Sequence, residues 1–283
     1  MKALPFKIPM PEEASVRVQE DRSSHFYDRL HFHPELQLTL IAKGYGSGLV
    51  GNQMVDFGEG DLFLLGSNLP HLFKCDESFY AHPERGVYAI SLFFREESFG
   101  ERFWRLPELY AIRDLLRQST NGLSLRGAAQ SRLRQGLLAM PRANAFERLW
   151  GLLDLLRMAS ELERIPLSNW ESTHWEGEGD ERLRRVLQYL MDHLGENIRL
   201  ETVASIANLS PSAFCRFFKL RTRKTLVQFL NEVRIGLACR LLREEEQSIA
   251  SVAYQVGFQN LSNFNRQFRR IRGTCPTAWR RGT

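Results

Sequence analysis

Apolar and polar positions alternate in short runs through the first third of the chain. From about residue 15 to 95 the apolar segments LQLTLIA, GLVG, DLFLLG and YAISLFF are separated by Gly and Pro. The stretch GYGSGLVGNQMVDFGEG holds six glycines in seventeen residues, a density expected of turns between strands. Many short strands at this spacing predict a sandwich or barrel, jelly rolls included. From about 96 to 165 the period lengthens. In AFERLWGLLDLLRMASELE, residues Phe146, Leu149, Leu152, Leu153, Leu156 and Ala159 recur at helical spacing. That apolar face is wide enough to pack on the sheet or on the same helix of a second copy, so a homodimer is one expectation. The polar segment IPLSNWESTHWEGEGD has no period and predicts a linker over 166–180, its two Trp residues being able to dock on a domain surface. Beyond 180 the pattern is helical throughout.

Two segments of this last third repeat one design. VASIANLSPSAFCRFFK (203–219) and VAYQVGFQNLSNFNRQFRR (252–270) both open on Val-Ala and close on Phe-x-Arg-x-Phe. Asn208 and Gly257 stand at the turns, where a left-handed residue is needed and Gly or Asn supplies it most cheaply. Ser210 and Pro211 read as N-cap and first helical residue. Each copy is thus a helix, a short turn and a second helix, with the phenylalanines inward. The outward positions are Ser212, Cys215, Arg216 and Lys219 in the first copy. In the second they are Asn260, Ser262, Asn263, Arg266, Gln267 and Arg270. The segment TLVQFLNEVRIGLACRLLREEE (225–246) between them predicts one amphipathic helix. About 20 residues at ~1.5 Å each make it ~30 Å long, near the ~34 Å of one DNA turn.

Charge sharpens this reading. Residues 181–283 carry 18 Lys/Arg against 8 Asp/Glu, whereas residues 1–180 carry 20 against 25. The positive excess belongs wholly to the duplicated helical part, as expected of a polyanion-binding domain. A second helix of each copy in the major groove would bring Asn and Gln to adenine edges and Arg to guanine, with the remaining cations on phosphates. A plain helical bundle with a solvated face is the alternative. No apolar run reaches membrane-span length and no signal-peptide core opens the chain, so a cytoplasmic protein is expected. The four cysteines form no CxxC pair, which argues against a zinc ribbon or a disulfide scaffold.

Three motifs, LETVASIANLSPSAFCRFFK, FLNEVRIGLACRLL and IASVAYQVGFQNLSNFNRQFRRIRGTCPTAWR, resemble the DNA-binding domain of the AraC/XylS transcriptional regulators. The resemblance covers about 181–283. It departs from the family at Arg223, where Gly is usual, and at Cys275, where Ser or Thr is usual before Pro276. It implies seven helices, recognition helices near 211–219 and 260–270, binding to promoter DNA, and contact with RNA polymerase, most often to activate.

The segment HFHPELQLTLIAKG (31–44) carries the remaining chemistry. Strand parity puts Leu36, Leu38 and Leu40 on one face. Glu35, Gln37 and Thr39 fall on the other, continued by His31 and His33 if Pro34 permits. With His71 after a Gly-Asp turn, the pattern resembles the cupin barrel and the cupin-type sensory domains of AraC-family regulators. Metal-binding cupins carry Glu where Gln37 stands, and a neutral amide is a weak metal ligand. The expected use of His31, His33, Glu35, Gln37 and His71 is therefore binding of a small polar effector, sugars among the candidates, with no metal or other cofactor. Sheet residues with no ligand remain the plainer alternative.

The expected architecture is an α+β chain of two domains. A cupin-like jelly-roll barrel with following helices takes 1–165, a linker takes 166–180, and an all-α domain of two helix-turn-helix motifs joined by a long helix takes 181–283. The expected function is ligand-responsive transcriptional regulation without enzymatic activity. A metal-dependent cupin enzyme with an added nucleic-acid module is the main alternative, favoured by the three histidines and disfavoured by Gln37. A purely architectural DNA binder leaves the polar sheet face unexplained.

Overall fold

The computed structural model describes residues 14–29, 31–51, 53–168, 178–242 and 247–281. They form two compact units, one of residues 14–51 and 57–168, the other of residues 178–281 with the segment 53–56.

The described strands are β1 (Val16–Ser23), β2 (Leu36–Lys43), β3 (Gly46–Val50), β4 (Gln53–Phe57), β5 (Leu62–Leu65), β6 (His71–Cys75), β7 (Val87–Phe94), β8 (Leu123–Arg126) and β9 (Glu163–Pro166), all of the first unit except most of β4. One sheet has the order β1-β7-β2-β5-β8-β9 and the other β4-β3-β6. Two sheets thus stand where a closed barrel was expected. They meet through aromatic rings, Phe63 of the larger sheet stacking on Phe73 of the smaller at 5.5 Å. Helices α1 (Glu77–Ala81), α2 (Glu101–Trp104), α3 (Tyr110–Gln118), α4 (Gln130–Ala139) and α5 (Ala145–Ser160) complete the unit.

Strand parity explains the layering. Leu36, Leu38 and Leu40 of β2 join Leu62, Leu64, Leu92 and Phe94 in one buried cluster with Leu115, Leu133, Leu137, Leu152, Leu155, Leu156 and Ala159 of α3–α5. One face of α5 is therefore spent on its own sheet. Its flank is not: Phe146 and Trp150, one turn apart, are 74% and 67% exposed. The segment 96–165 is not purely helical, because β8 and β9 lie within it and extend the larger sheet. Pro166 is tolerated because β9 is the outer strand.

The linker expected over 166–180 is occupied at both ends. Pro166 closes β9, Ser168 donates its hydroxyl to the Asn121 carbonyl, and α6 (Glu178–Asp192) starts at 178. Residues 169–177, with both tryptophans, lie outside the described residues.

The second unit continues with α7 (Leu200–Ile206), α8 (Pro211–Thr222), α9 (Leu226–Leu241), α10 (Ile249–Gln255), α11 (Leu261–Arg272) and α12 (Pro276–Arg280). The expected helix over 225–246 is shorter. It runs 16 residues, about 24 Å, and residues 243–246 are outside the described set. Its buried residues Ile235, Ala238, Cys239 and Leu241 join Val252, Phe258, Phe264 and Phe268 in one core, with Leu242 just past its end. Trp279 is anchored by its indole N–H to the Cys239 carbonyl (3.1 Å), which ties α12 to α9.

Backbone conformation accounts for the turn residues. Asn208 (φ 53°) and Gly257 (φ 94°) are left-handed. At Gly257 a side chain is also excluded by space, since a Cβ would lie 2.6 Å from the Leu194 carbonyl oxygen. Arg223 closes α8 in the same left-handed conformation, φ 57°. A bulky residue there bears strain that Gly avoids. Arg223→Gly is therefore expected to raise stability by about 0.5–1 kcal/mol, less than the full strain because Gly also loosens the unfolded chain. A denaturant midpoint that falls would show that Arg223's own contacts outweigh the strain. At Cys275 no side-chain cap forms on α12.

Candidate effector cavity and nucleic-acid interface

The face of the larger sheet opposite the helices lines a cavity of about 430 Å³. Register brings its polar groups together. Gln37 of β2 stands opposite Phe93 of β7, Thr39 opposite Ser91, and Ser91 in turn opposite Gln19 of β1. Gln37 donates its amide to Thr39 Oγ1 (2.7 Å) and Ser91 Oγ (3.3 Å), and the two hydroxyls are 2.8 Å apart. Along β1, Arg17 donates to Gln19 (3.1 Å) and Gln19 to Asp21 (2.8 Å). Burial pushes the Asp21 carboxyl up, against the opposing hydrogen bond from Gln19 and the charge of Arg17. Gln19, Asp21, Gln37, Thr39, His31, His71 and Ser91 all line the cavity, with Tyr27 and His25 at one side.

Of the five residues expected here, His31, Gln37 and His71 face the cavity. His33 is buried beside it, its Nε2 3.1 Å from Gln37 Oε1. Glu35 does something else. Its carboxylate is buried and takes two bonds on Oε1 from Arg95, Nε at 2.9 Å and a terminal nitrogen at 2.6 Å. Parity failed for Glu35 because β2 begins only at Leu36, after Pro34. The participation of Gln19, Asp21 and Ser91 was not recognised from the sequence. Their signal was there in the alternation of VRVQEDRS, but nothing local says that β1 and β7 flank β2.

The three histidines form one cluster. Their ligating nitrogens lie within 4.8 Å of one another. His31 and His71 are joined by a two-bond backbone bridge, N to O 3.1 and 2.9 Å. The Asn68 N–H donates to the His33 carbonyl (2.8 Å), closing the third segment onto the same loop. Burial lowers all three imidazoles: His31 to about 4, His33 in direction, and His71 well below the usual range, the last also opposed by its two neighbours. All three are neutral at pH 7.

In the second unit Ser212, Cys215, Arg216 and Lys219 are all exposed along one side of α8, while Phe214 and Phe218 are buried. On α11, Ser262, Arg266 and Arg270 are exposed, Asn263 and Gln267 half-buried, and Phe264 and Phe268 buried. Asn260 is exposed but its side chain caps α11, accepting from the Asn263 N–H at 2.8 Å. Asn263 Oδ1 accepts from Arg266 (2.9 Å) and Gln267 (3.4 Å), which orients both. Asn265 and Arg269, absent from the sequence-derived set, join Arg266 and Arg270 around a concave surface with Cys275 and Thr277. No helix among the described residues is long and apolar enough to cross a membrane.

Two family models match the chain. Residues 203–282 match the family described as "Helix-turn-helix domain", and residues 13–99 match "AraC-like ligand binding domain". The chain is 22% identical over 278 residues to the uncharacterized HTH-type transcriptional regulator YdeC of Bacillus subtilis, covering 90% of this chain and 87% of that protein. It is 26% identical over 262 residues to the HTH-type transcriptional activator RhaS of Escherichia coli O6:H1, covering 89% and 87%. To RhaS of Enterobacter sp. the identity is 33% over 131 residues, 46% of this chain and 43% of that one. Among solved structures, the DNA-binding domain of AdpA in complex with a target DNA is 33% identical over 35% of this chain and 90% of that one, with a TM-score of 0.34. ToxT of Vibrio cholerae O395 is 12% identical over 94% and 97%, with a TM-score of 0.37.

Proposed function

We propose that this chain, a DNA-binding transcriptional regulator of the AraC family, is switched by a small polar effector held in the cavity of its N-terminal unit. The observation that carries this reading is the double row Gln37–Thr39–Ser91–Gln19 on a cavity wall, in a unit separate from the two helix-turn-helix motifs. Neutral amides and hydroxyls bind hydroxylated ligands well, so sugars and sugar acids head the candidate list. The two sheets are the halves of a cupin-type jelly roll in this reading. The domains keep the limits 1–165, 166–180 and 181–283. Arg216 and Arg266 read guanine edges, Asn263 and Gln267 adenine, and Lys219 and Arg270 hold phosphates. The protein acts in the cytoplasm, activates through RNA polymerase, and catalyses no reaction. It dimerises through the exposed flank of α5 at Phe146 and Trp150. Sedimentation tests the last point: Trp150→Glu should turn a dimer into a monomer, and a wild-type monomer at micromolar concentration removes it.

Binding of the full-length protein to its own upstream DNA tests the whole. Arg266→Ala should weaken specific binding by about 1–3 kcal/mol, roughly 5- to 150-fold, and relax one base position. Lys219→Ala should weaken binding to all sequences alike and reduce the salt slope by about one. A protein with no salt-sensitive preference for that DNA is not acting through these helices. For the effector, a thermal-unfolding panel on the full chain should show one class of hydroxylated ligand raising Tm; a ligand at 100 times its Kd adds about 2.7 kcal/mol.

A further inference from the structure

We infer that Arg234 is a positioning residue for DNA binding: it locks the two helix-turn-helix halves of the second unit at one setting, so that α8 and α11 meet the duplex as a preformed pair. This rests on the reading that both helices enter DNA, and adds what holds them to a common spacing.

One helix joins the two halves. The start of α9 belongs to the first half: Phe229 meets Phe218 of α8 edge-on at 5.6 Å, and Lys224, just before α9, pairs with Glu232. Its later residues Ile235, Ala238 and Cys239 lie in the core of the second half. Two bodies fastened along one rod still twist and bend about it. A contact away from the rod removes that freedom, and Arg234, midway along α9, makes it. Its Nε donates to the Leu194 carbonyl at 2.9 Å and a terminal nitrogen to the Glu196 carbonyl at 2.7 Å. Both carbonyls belong to the loop between the end of α6 at Asp192 and the start of α7 at Leu200, and α7 opens the first helix-turn-helix. The turn of the second lies against the same loop. A Cβ on Gly257 would stand 2.6 Å from the Leu194 carbonyl oxygen and 2.9 Å from Arg234 Cζ. One on Gly195 would stand 2.8 Å from the Gln255 carbonyl oxygen. The loop, the joining helix and the second turn thus meet at one guanidinium.

The chemistry of this joint suits a lock. A planar guanidinium holds two acceptors in fixed directions, which a lysine ammonium does not. Burial draws Arg234 below its usual range, yet an arginine keeps its charge. That charge lies just past the C-terminal end of α6, where the helix dipole favours a cation. With glycine at 195 and 257 no side chain separates loop from turn, so little play remains. Linking two binding modules at the span of their sites raises the affinity of the pair without any new contact to DNA.

The test compares full-length wild type with Arg234→Met on the protected site in the protein's own upstream DNA. Kd is measured at one salt concentration, below the melting temperature of both proteins. The duplexes are the site as it stands, the site with either half scrambled, and the site with one base pair inserted between the halves. The insertion moves the second half by ~3.4 Å and turns it by ~34°. The wild type should lose about 100-fold or more on the insertion, and Arg234→Met no more than about 5-fold. At the original spacing Arg234→Met should bind about 10- to 100-fold more weakly than the wild type, and on the scrambled halves within about 2-fold of it. Arg234→Lys should fall between the two, since it reaches one carbonyl at a time. Gly195→Ala keeps Arg234 but pries the loop from the Gln255 carbonyl, and should repeat the Arg234→Met pattern; it carries the test if Arg234→Met does not fold. Equal weakening on every duplex, or a lower Tm with the wild-type response to the insertion, makes Arg234 a stabilising residue alone and overturns the lock. If scrambling one half costs the wild type nothing, only one helix reads DNA, and the lock falls together with the reading that both do.

Discussion

Phe264→Ala is expected to cost about 3–5 kcal/mol and to release the second helix-turn-helix at temperatures where the wild-type chain is folded. Phe264 is fully buried on the inner side of α11. Its ring meets Phe258 edge-on at 5.3 Å and Phe268 at 5.6 Å, and these three share one core with Val252, Ala253 and the α9 residues Ile235 and Cys239. Truncation removes most of a ring from the centre of a cluster drawn from three helices. Helices α10 and α11, of 7 and 12 residues, are too short to hold their shape alone, so the cavity falls where the helices depend most on one another. Trp279, 6.2 Å from Phe268, reports the loss by fluorescence during denaturant unfolding. Tyr254→Ala is the contrast: at 56% exposure it should change stability by under about 0.5 kcal/mol. A loss below about 1 kcal/mol at Phe264 means that α11 does not pack by this face.

Arg95→Ala is expected to cost about 2–3 kcal/mol. Glu35 is 1% exposed and takes both of its resolved side-chain hydrogen bonds from Arg95. Removing one partner of a buried pair leaves the other charged and dry, typically at a cost of 3–5 kcal/mol. The lower figure applies because Arg95 is 46% exposed, so water partly replaces it. The double substitution with Glu35→Ala separates the causes. If the penalty is the stranded carboxylate, the double variant is more stable than the two single losses predict, by at least about 1 kcal/mol. Strict additivity would falsify the pair as an energetic unit. The consequence reaches the cavity, since the Glu35 carbonyl fixes the His33 ring at 2.9 Å.

Local order was legible along the chain. The duplicated Val-Ala to Phe-x-Arg-x-Phe unit, the left-handed Asn208 and Gly257, the cap at Ser210 and the inward phenylalanines all follow from helical period and turn chemistry. These act within a few residues and survive transfer to the fold. Leu36, Leu38 and Leu40 likewise fell to one side because alternation is a property of a single strand. Two local readings overreached where regular structure stops. The joining helix ends by Leu241, short of the apolar pattern's promise. Glu35 lies before β2 and so escapes its parity.

What needed the tertiary structure was every relation between strands distant in sequence. β7 lies between β1 and β2, and only that order sets Gln19 beside Ser91 and Ser91 beside Thr39. The bridge between His31 and His71 is made by backbone groups, which carry no side-chain signature. Strands β8 and β9 sit in a segment of helical period because the edge of the larger sheet needs their hydrogen bonds more than their residues need a strand. Period and charge decided which units form and which one meets DNA. Hydrogen-bond pairing between strands, blind to residue type, decided which polar groups share the cavity.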